Sequence, residues 1–215
     1  MVIRPALPED NEALCRMELL APQGTAIRLT EHRRDFAARA SQLPYSTLLV
    51  AADKKTGSLI GVLGGAPVRI RVGGRERTGG LLFDLRANPE YERGMSRALY
   101  LMWQELEKRL RGVGVEFMYG LVKEDNPALS IYHRLGGKER SRRKYWTLPV
   151  YRRLPVPPEV EAARRIDAAA DYSEASQWYR DYDLWPLLDE PASLQPLYDR
   201  CLWGVLSCRG ASLKI

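Results

Sequence analysis

The stretch from Leu85 to Gly137 constrains the fold of this chain more than any other. An apolar run over 81–87 leads through a short turn containing Gly94 into a long segment with apolar residues at helical spacing. A second apolar run, over 115–122, precedes Asn126-Pro127, a pair typical of a helix start. A strand, a long helix, a strand and a short helix in this order predict an α/β fold.

The strongest predicted helix runs from Arg93 to Arg111. One stripe of it is apolar and should be buried against a sheet, and its members are Leu99, Met102, Trp103, Leu106 and Leu110. Gly112 and Gly114 follow and are expected to end the helix.

The other segments complete a mixed sheet flanked by helices. Helices are predicted over 8–20, over 30–42 and from Asn126 to Gly136-Gly137. Strands are predicted over 2–5, 46–52, 58–72, 77–87, 115–122, 138–142 and 145–149, with a hairpin turn at Gly73-Gly74. Strands mostly alternate with helices, which favours the α/β class over all-β or all-α folds.

Composition excludes several classes of protein. The 215 residues are 45% hydrophobic and 28% charged, as in an ordinary globular protein, and no apolar run approaches the roughly 20 residues of a membrane span. No signal peptide is recognised at the N-terminus. Three scattered cysteines and two histidines form neither a disulfide framework nor a metal-ligand pattern, so we expect no metal and a reducing, cytoplasmic location.

The net charge of +6 has two interpretations. A basic balance suits nucleic acid, but it equally suits a ligand that carries several phosphate charges. The most basic run is 140–144, which reads as a solvated strand edge or as part of a binding surface. Only two aromatic residues, Tyr145 and Trp146, directly adjoin that run, and none is interleaved with its arginines, which counts against nucleic acid.

The turn before the long helix is a candidate anion site. A helix start leaves backbone N–H groups without partners, and the helix dipole favours negative charge there. The candidate donors are the N–H groups of Arg93, Gly94, Met95, Ser96 and Arg97. Gly94 would allow a phosphate to approach closely because it has no side chain. An ordinary strand-to-helix turn is the alternative.

Both halves of this stretch resemble the GCN5-related N-acetyltransferases, the GNAT family, over residues 1–150. The second motif, Asn126-Pro127-Ala128 followed by Tyr132 and Leu135-Gly136, is similar to the family's pattern nearly residue for residue. The turn resembles the family's pyrophosphate turn, although Tyr91 stands at its first position and Ser96 at its last.

The resemblance implies a fold, a cofactor and a reaction. The fold would be a mixed, mostly antiparallel sheet splayed between its fourth and fifth strands. The cofactor would be acetyl-CoA, which donates an acetyl group directly to an amine, either a small molecule or a peptide. The pantetheine arm would bond to the backbones of Leu85 and Ala87 and lie near Asn126. Tyr132 would be the general acid that protonates the departing thiolate, although a packed helix aromatic remains the alternative.

Asp84 is our first candidate for the base that accepts the amine's proton. An acid within the apolar run 81–85 is costly unless it has a purpose or a partner. The alternative is a salt bridge to an arginine across the hairpin, namely Arg86, Arg77 or Arg71. Glu124 and Asp125 are weaker candidates for the base.

The proline-rich run 151–158 predicts a linker between an acetyltransferase domain over 1–150 and an extension over 159–215. The extension echoes the start of the chain weakly and would be either a truncated second GNAT repeat, in a small α/β arrangement, or an unrelated segment. It is too apolar to stand alone, so we expect it to pack on the first domain or on a second copy in a homodimer. Two other functions stay open: an inactive CoA-binding regulatory or scaffolding protein, and a nucleic-acid-binding module.

Overall fold

The computed structural model describes residues 1–26, 28, 30–91, 95–140, 142, 207–208 and 211–212. The chain divides into two compact units. The first comprises residues 1–136 and 182–187, and the second comprises residues 137–181 and 188–215.

The first unit contains a five-stranded sheet in the order β1-β2-β3-β4-β5. The strands are β1 (Val2–Pro5), β2 (Thr47–Ala52), β3 (Leu59–Val72), β4 (Arg75–Ala87) and β5 (Phe117–Gly120). Neighbours pair antiparallel except β4 and β5, which are parallel. The predicted mixed, mostly antiparallel sheet is confirmed.

The described part of the same unit contains three α-helices: α1 (Asn11–Leu20), α2 (Met95–Gly112) and α3 (Leu129–Arg134). A 3₁₀ turn over Pro8–Asp10 leads into α1. The Asp10 carboxylate accepts hydrogen bonds from the Arg4 guanidinium and from the Leu7 N–H, which joins this turn to β1.

The two faces of the sheet bury different side chains because residues alternate along each strand. One face packs against α2. Four members of its predicted stripe, Leu99, Met102, Leu106 and Leu110, are buried, and the fifth, Trp103, is half-buried against the same core. Gly65 on β3 permits this approach, since a Cβ there would lie 2.9 Å from a methyl carbon of Leu106.

The opposite face of the sheet is covered by α1 and by the segment before β2. Leu14 and Met17 of α1 pack with Phe36 against Val50 and Val62. All five side chains are buried.

The predicted helix over 30–42 is wrong. This segment contains only two 3₁₀ turns, Phe36–Ala38 and Ala40–Gln42. The Asp35 carboxylate accepts a hydrogen bond from the Ala37 N–H at 2.9 Å, a local bond that competes with a continuous helix. Arg33 and Arg39 also bond to Asp84 of β4, which fixes the path of the segment on the sheet.

Two predicted strands also differ from the structure. The strand predicted over 115–122 is shorter, at Phe117–Gly120, and the described residues of 138–142 form no strand. Most of the predictions beyond residue 142 concern residues outside the described ones. These are the strand over 145–149, the linker and the body of the extension. Within the described part of the second unit, β6 (Ser207–Cys208) and β7 (Ala211–Ser212) pair antiparallel.

Candidate active site

The edge of β4 that faces β5 is the first element of the candidate site. Parallel pairing of the two strands runs from Gly79–Phe117 to Leu82–Gly120 and ends there. β4 continues to Ala87, five residues further, or about 17 Å at the rise of an extended strand. The predicted splay between the fourth and fifth strands is therefore confirmed. Among the described residues no strand pairs with this side of β4 beyond Leu82, and we call it the open edge of β4.

A bulge in β4 sets which backbone groups face this open edge. Gly64 pairs with Phe83 and Val62 pairs with Arg86, so two residues of β4, Asp84 and Leu85, lie opposite one residue of β3. Asp84 has a φ of 51°, in the left-handed region that residues other than glycine seldom adopt.

The predicted cofactor-binding backbone groups of Ala87 face away from β3. Ala87 pairs with Gly61, while the Asn88 N–H donates to the Ile60 carbonyl at 2.9 Å. This pattern makes Ala87–Gly61 a non-hydrogen-bonded pair, so the N–H and C=O of Ala87 point to the open side. Leu85 lies two residues earlier, within the bulge, and its C=O accepts a hydrogen bond from the Arg86 guanidinium at 2.9 Å. Contact of Leu85 with the pantetheine arm stays a prediction.

Asp84 is buried, as expected of a residue with a purpose or a partner, but its arginine partners are not the predicted ones. Its carboxylate accepts two hydrogen bonds from Arg33, each at 2.9 Å, and one from Arg39. Arg77 and Arg86 bond instead to Glu116 and Glu18. Arg33 and Arg39, the observed partners of Asp84, lie 51 and 45 residues before it in the sequence. The role of Asp84 as a base stays a prediction.

Asp84 belongs to a larger network of buried charges. Glu18 on α1, whose side chain is 2% exposed, accepts a hydrogen bond from Arg86 at 3.0 Å and lies 3.2 Å from the Arg33 guanidinium. Glu31 pairs with both Arg33 and Arg39. Three carboxylates thus meet three guanidinium groups, which balances their charges. Sequence reasoning missed this network, although Glu18 beside the buried Leu14 and Met17 on α1 was a signal for it.

The predicted phosphate-binding turn is described only in part. α2 begins at Met95, and Ser96 and Arg97 are exposed in its first turn. Arg93 and Gly94 lie outside the described residues, so the anion site stays a prediction. The Asp53 carboxylate raises the pKa of the Tyr91 hydroxyl, which stands before this turn.

Asn126 begins the segment that leads into α3. Its side-chain oxygen accepts a hydrogen bond from the Ala128 N–H at 2.9 Å, and its carbonyl accepts one from Leu129. The predicted helix start is thus a turn stabilised by Asn126, with regular α-helix from Leu129 onwards. Contact of Asn126 with the pantetheine arm stays a prediction.

Tyr132 on α3 packs against the core cluster beneath α2. Its ring makes an edge-to-face contact with Trp103. Burial raises the pKa of Tyr132 to about 12, and the positive charge of Arg86 opposes this shift. The phenol therefore keeps its proton throughout the physiological pH range, as a proton donor must. Both interpretations of Tyr132, packed aromatic and general acid, are compatible with this position.

Asp125 connects two loops at this end of the sheet. Its carboxylate accepts hydrogen bonds from the backbone N–H groups of Thr25 and Ala26, at 2.8 and 2.9 Å, and from Lys123 at 2.7 Å. These bonds lower the pKa of Asp125. Asp125 thereby joins the loop that contains Thr25 to the loop before Asn126.

Two kinds of feature are absent from the described residues. Among them, no three His, Cys, Asp or Glu side chains are grouped so that they could hold a metal ion. No helix in the same part of the chain is long and apolar enough to cross a bilayer.

Solved structures share this fold at low sequence identity. A tetramutant of the BH1408 protein from Bacillus halodurans has 19% identity and a TM-score of 0.52, covering 70% of this chain and 100% of that one. A transcriptional regulator from Bacillus halodurans C-125 has 16% identity and a TM-score of 0.51, covering 68% and 99%. An acetyltransferase from Trypanosoma brucei has 19% identity and a TM-score of 0.48, covering 68% and 99%.

No protein-family model matches the chain, and no curated protein matches its sequence. The structural likenesses, the strand order and the open edge of β4 agree with the resemblance in the second motif. The first unit of the chain therefore has a GNAT-type fold.

Proposed function

We propose that this chain is an N-acyltransferase that moves an acetyl group from the thioester of acetyl-CoA directly to an amine. The observation that carries the proposal is the open edge of β4, where the N–H and C=O of Ala87 face away from β3. An amide-containing arm of pantetheine can bond to such an edge as an added strand does.

The residues around this edge supply the remaining requirements of the proposal. The backbone N–H groups of 93–97, at the start of α2, would bind the pyrophosphate. Asn126 would lie beside the pantetheine arm. Acetyl-CoA supplies the activated acyl group when it is bound. The chain must orient the amine, accept a proton from it and donate a proton to the departing sulfur.

Proton transfer assigns roles to two side chains. A new C–N bond forms as the amine attacks the thioester carbonyl, and the C–S bond breaks. In the proposal Tyr132 gives its proton to the departing sulfur, and its pKa of about 12 keeps that proton available at pH 7. The amine loses a proton to Asp84, directly or through water. For Asp84 to act, Arg39, the more exposed of its two partners, must release one oxygen.

An acetylation screen tests this proposal. The purified chain is incubated with acetyl-CoA and a panel of amines and amine-bearing peptides, and mass spectrometry detects acetylated products together with free CoA. Product formation above the uncatalysed rate for at least one amine is expected. Binding of CoA without any turnover would instead indicate a regulatory protein. No CoA binding, with salt-sensitive binding to DNA or RNA, would overturn the proposal in favour of a nucleic-acid-binding module.

A further inference from the structure

Arg33 makes the most extensive set of buried charge contacts around β4. Its guanidinium donates two parallel hydrogen bonds to the Asp84 carboxylate, and the two side chains are 11% and 1% exposed. The same guanidinium contacts Glu31 at 2.7 Å and stacks 5.1 Å above the ring of Phe36. A bidentate pair of this kind fixes geometry as well as charge.

The carboxylate that Arg33 holds belongs to a residue with unfavourable backbone geometry. Asp84 occupies the left-handed region, with a φ of 51°, at the bulge of β4. A residue with a Cβ persists there only where the surrounding structure compensates for the strain. Arg33 and Arg39 are the side chains that donate hydrogen bonds to the Asp84 carboxylate at this point.

The bulge determines the orientation of every backbone group after it. Beyond Asp84, the pairing with β3 directs the Asn88 N–H to Ile60 and turns the groups of Ala87 to the open side. Backbone N–H and C=O groups along β4 point alternately towards β3 and away from it. Without the extra residue, this alternation would shift by one position, and the N–H and C=O of Ala87 would point towards β3. The open edge would then present a different set of backbone groups.

We infer that Arg33 is a positioning residue for the CoA site: it holds Asp84 in the bulge conformation and so directs the backbone N–H and C=O of Ala87 into the gap between β4 and β5. This inference rests on the proposed function, because it assigns the open edge to the pantetheine arm. It gives the segment before β2 a part in binding CoA, although that segment lies outside both sequence motifs.

A rescue experiment separates this role from general stability. Arg33→Met removes the two hydrogen bonds that Arg33 donates to the Asp84 carboxylate. We expect the dissociation constant for CoA, measured by calorimetry, to rise about tenfold or more. Adding Asp84→Gly to that variant should restore CoA binding to within about threefold of the parent, because glycine adopts a positive φ without help. Arg16→Met is the matched control, since it removes an exposed arginine paired with Glu90 on the surface.

A second measurement needs no ligand. Hydrogen exchange at the Asn88 amide, which bonds to Ile60, should accelerate in Arg33→Met and recover in the double variant. A folded Arg33→Met protein that binds CoA as tightly as the parent would overturn the inference. So would a double variant that binds as weakly as Arg33→Met.

Two further outcomes remain interpretable. If Arg33→Met does not fold, Arg33→Lys takes its place, because lysine keeps the charge but loses the bidentate geometry. The same loss and the same rescue by Asp84→Gly are then expected, and their absence overturns the inference. A parent protein that binds no CoA overturns the proposed function, whereas exchange at Asn88 still shows whether Arg33 holds the bulge.

Discussion

The ring of Tyr132 lies edge-on against the indole of Trp103, with ring centroids 6.4 Å apart and ring planes at 75°. Trp103 is a half-buried residue of α2 that packs against the core, so this contact holds the Tyr132 ring of α3 against the long helix. Aromatic pairs in this geometry contribute about 0.5–1.5 kcal/mol beyond their buried area. The ring and the hydroxyl of Tyr132 can therefore be tested separately.

Tyr132→Phe should retain stability and CoA binding but lose turnover. The substitution keeps the ring against Trp103, and the hydroxyl makes no side-chain hydrogen bond to another described residue. General acids contribute about 10²- to 10⁴-fold to rate, so kcat should fall by that factor. Steady-state kinetics with acetyl-CoA and the amine found in the screen measures it. An unchanged kcat, in an enzyme whose chemical step limits turnover, would leave Tyr132 with a packing role alone.

The raised pKa of Tyr132 predicts a loss of stability at alkaline pH. The pKa of the Tyr132 phenol is 10 in the unfolded chain and about 12 in the folded one, so folding favours the neutral form. Its contribution to stability is fully present below pH 10 and is lost as the pH rises towards 12. Urea unfolding at pH 9 and pH 11 should show a decline that is smaller in Tyr132→Phe. Equal declines in the free energy of unfolding of the two proteins would show that the burial of this phenol does not contribute to the loss of stability at alkaline pH.

Removing the Asp125 carboxylate should free the loop that contains Thr25. Asp125→Ala deletes the acceptor for two backbone N–H groups, at Thr25 and Ala26, and hydrogen exchange at both amides should accelerate. The Asp125 side chain is 28% exposed, and ion pairs near the surface contribute little to stability, so the unfolding midpoint should change only slightly. Glu12→Ala, which removes an exposed carboxylate from α1, is the control. Unchanged exchange at Thr25 would mean that this loop is held by other contacts.

The packing of α2 on the sheet can be tested at Leu106. This side chain is fully buried against the sheet, beside Gly65. Leu106→Ala should lower the free energy of unfolding by about 2–5 kcal/mol, as in other buried cores. Tyr100→Ala, on the exposed side of the same helix, should cost much less. Chemical denaturation of both variants provides the comparison, and similar losses would contradict the assigned orientation of α2.

Much of the fold followed from local pattern. The apolar stripe of α2 repeats at the period of a helix, and Gly73-Gly74 marks the hairpin between β3 and β4. Such signals depend on neighbours within a few residues, which is why the order of strands and helices was predictable. The open edge of β4 was expected only from the family resemblance.

Long-range ion pairs were not predictable in the same way. The apolar residues of the 30–42 segment suggested a helix, yet Arg33 and Arg39 bond to Asp84 across about 50 residues of sequence. A cross-hairpin arginine was the natural expectation for Asp84, since pairs across a hairpin can be inferred from strand register. Nothing in the local sequence indicates that the partners come from the segment before β2.

The most direct test of the proposed function is a calorimetric titration of the parent protein and of Ala87→Pro with acetyl-CoA. Proline lacks the N–H that faces the gap, and because Ala87–Gly61 is a non-hydrogen-bonded pair the substitution removes no bond to β3. We expect saturable binding by the parent and binding weaker by about two- to tenfold in Ala87→Pro, as the loss of one hydrogen bond implies. Ala87→Ser, which keeps the N–H, should bind like the parent. A parent protein that binds no acetyl-CoA, or a folded Ala87→Pro that binds it as tightly as the parent, would contradict the assignment of this edge to the pantetheine arm.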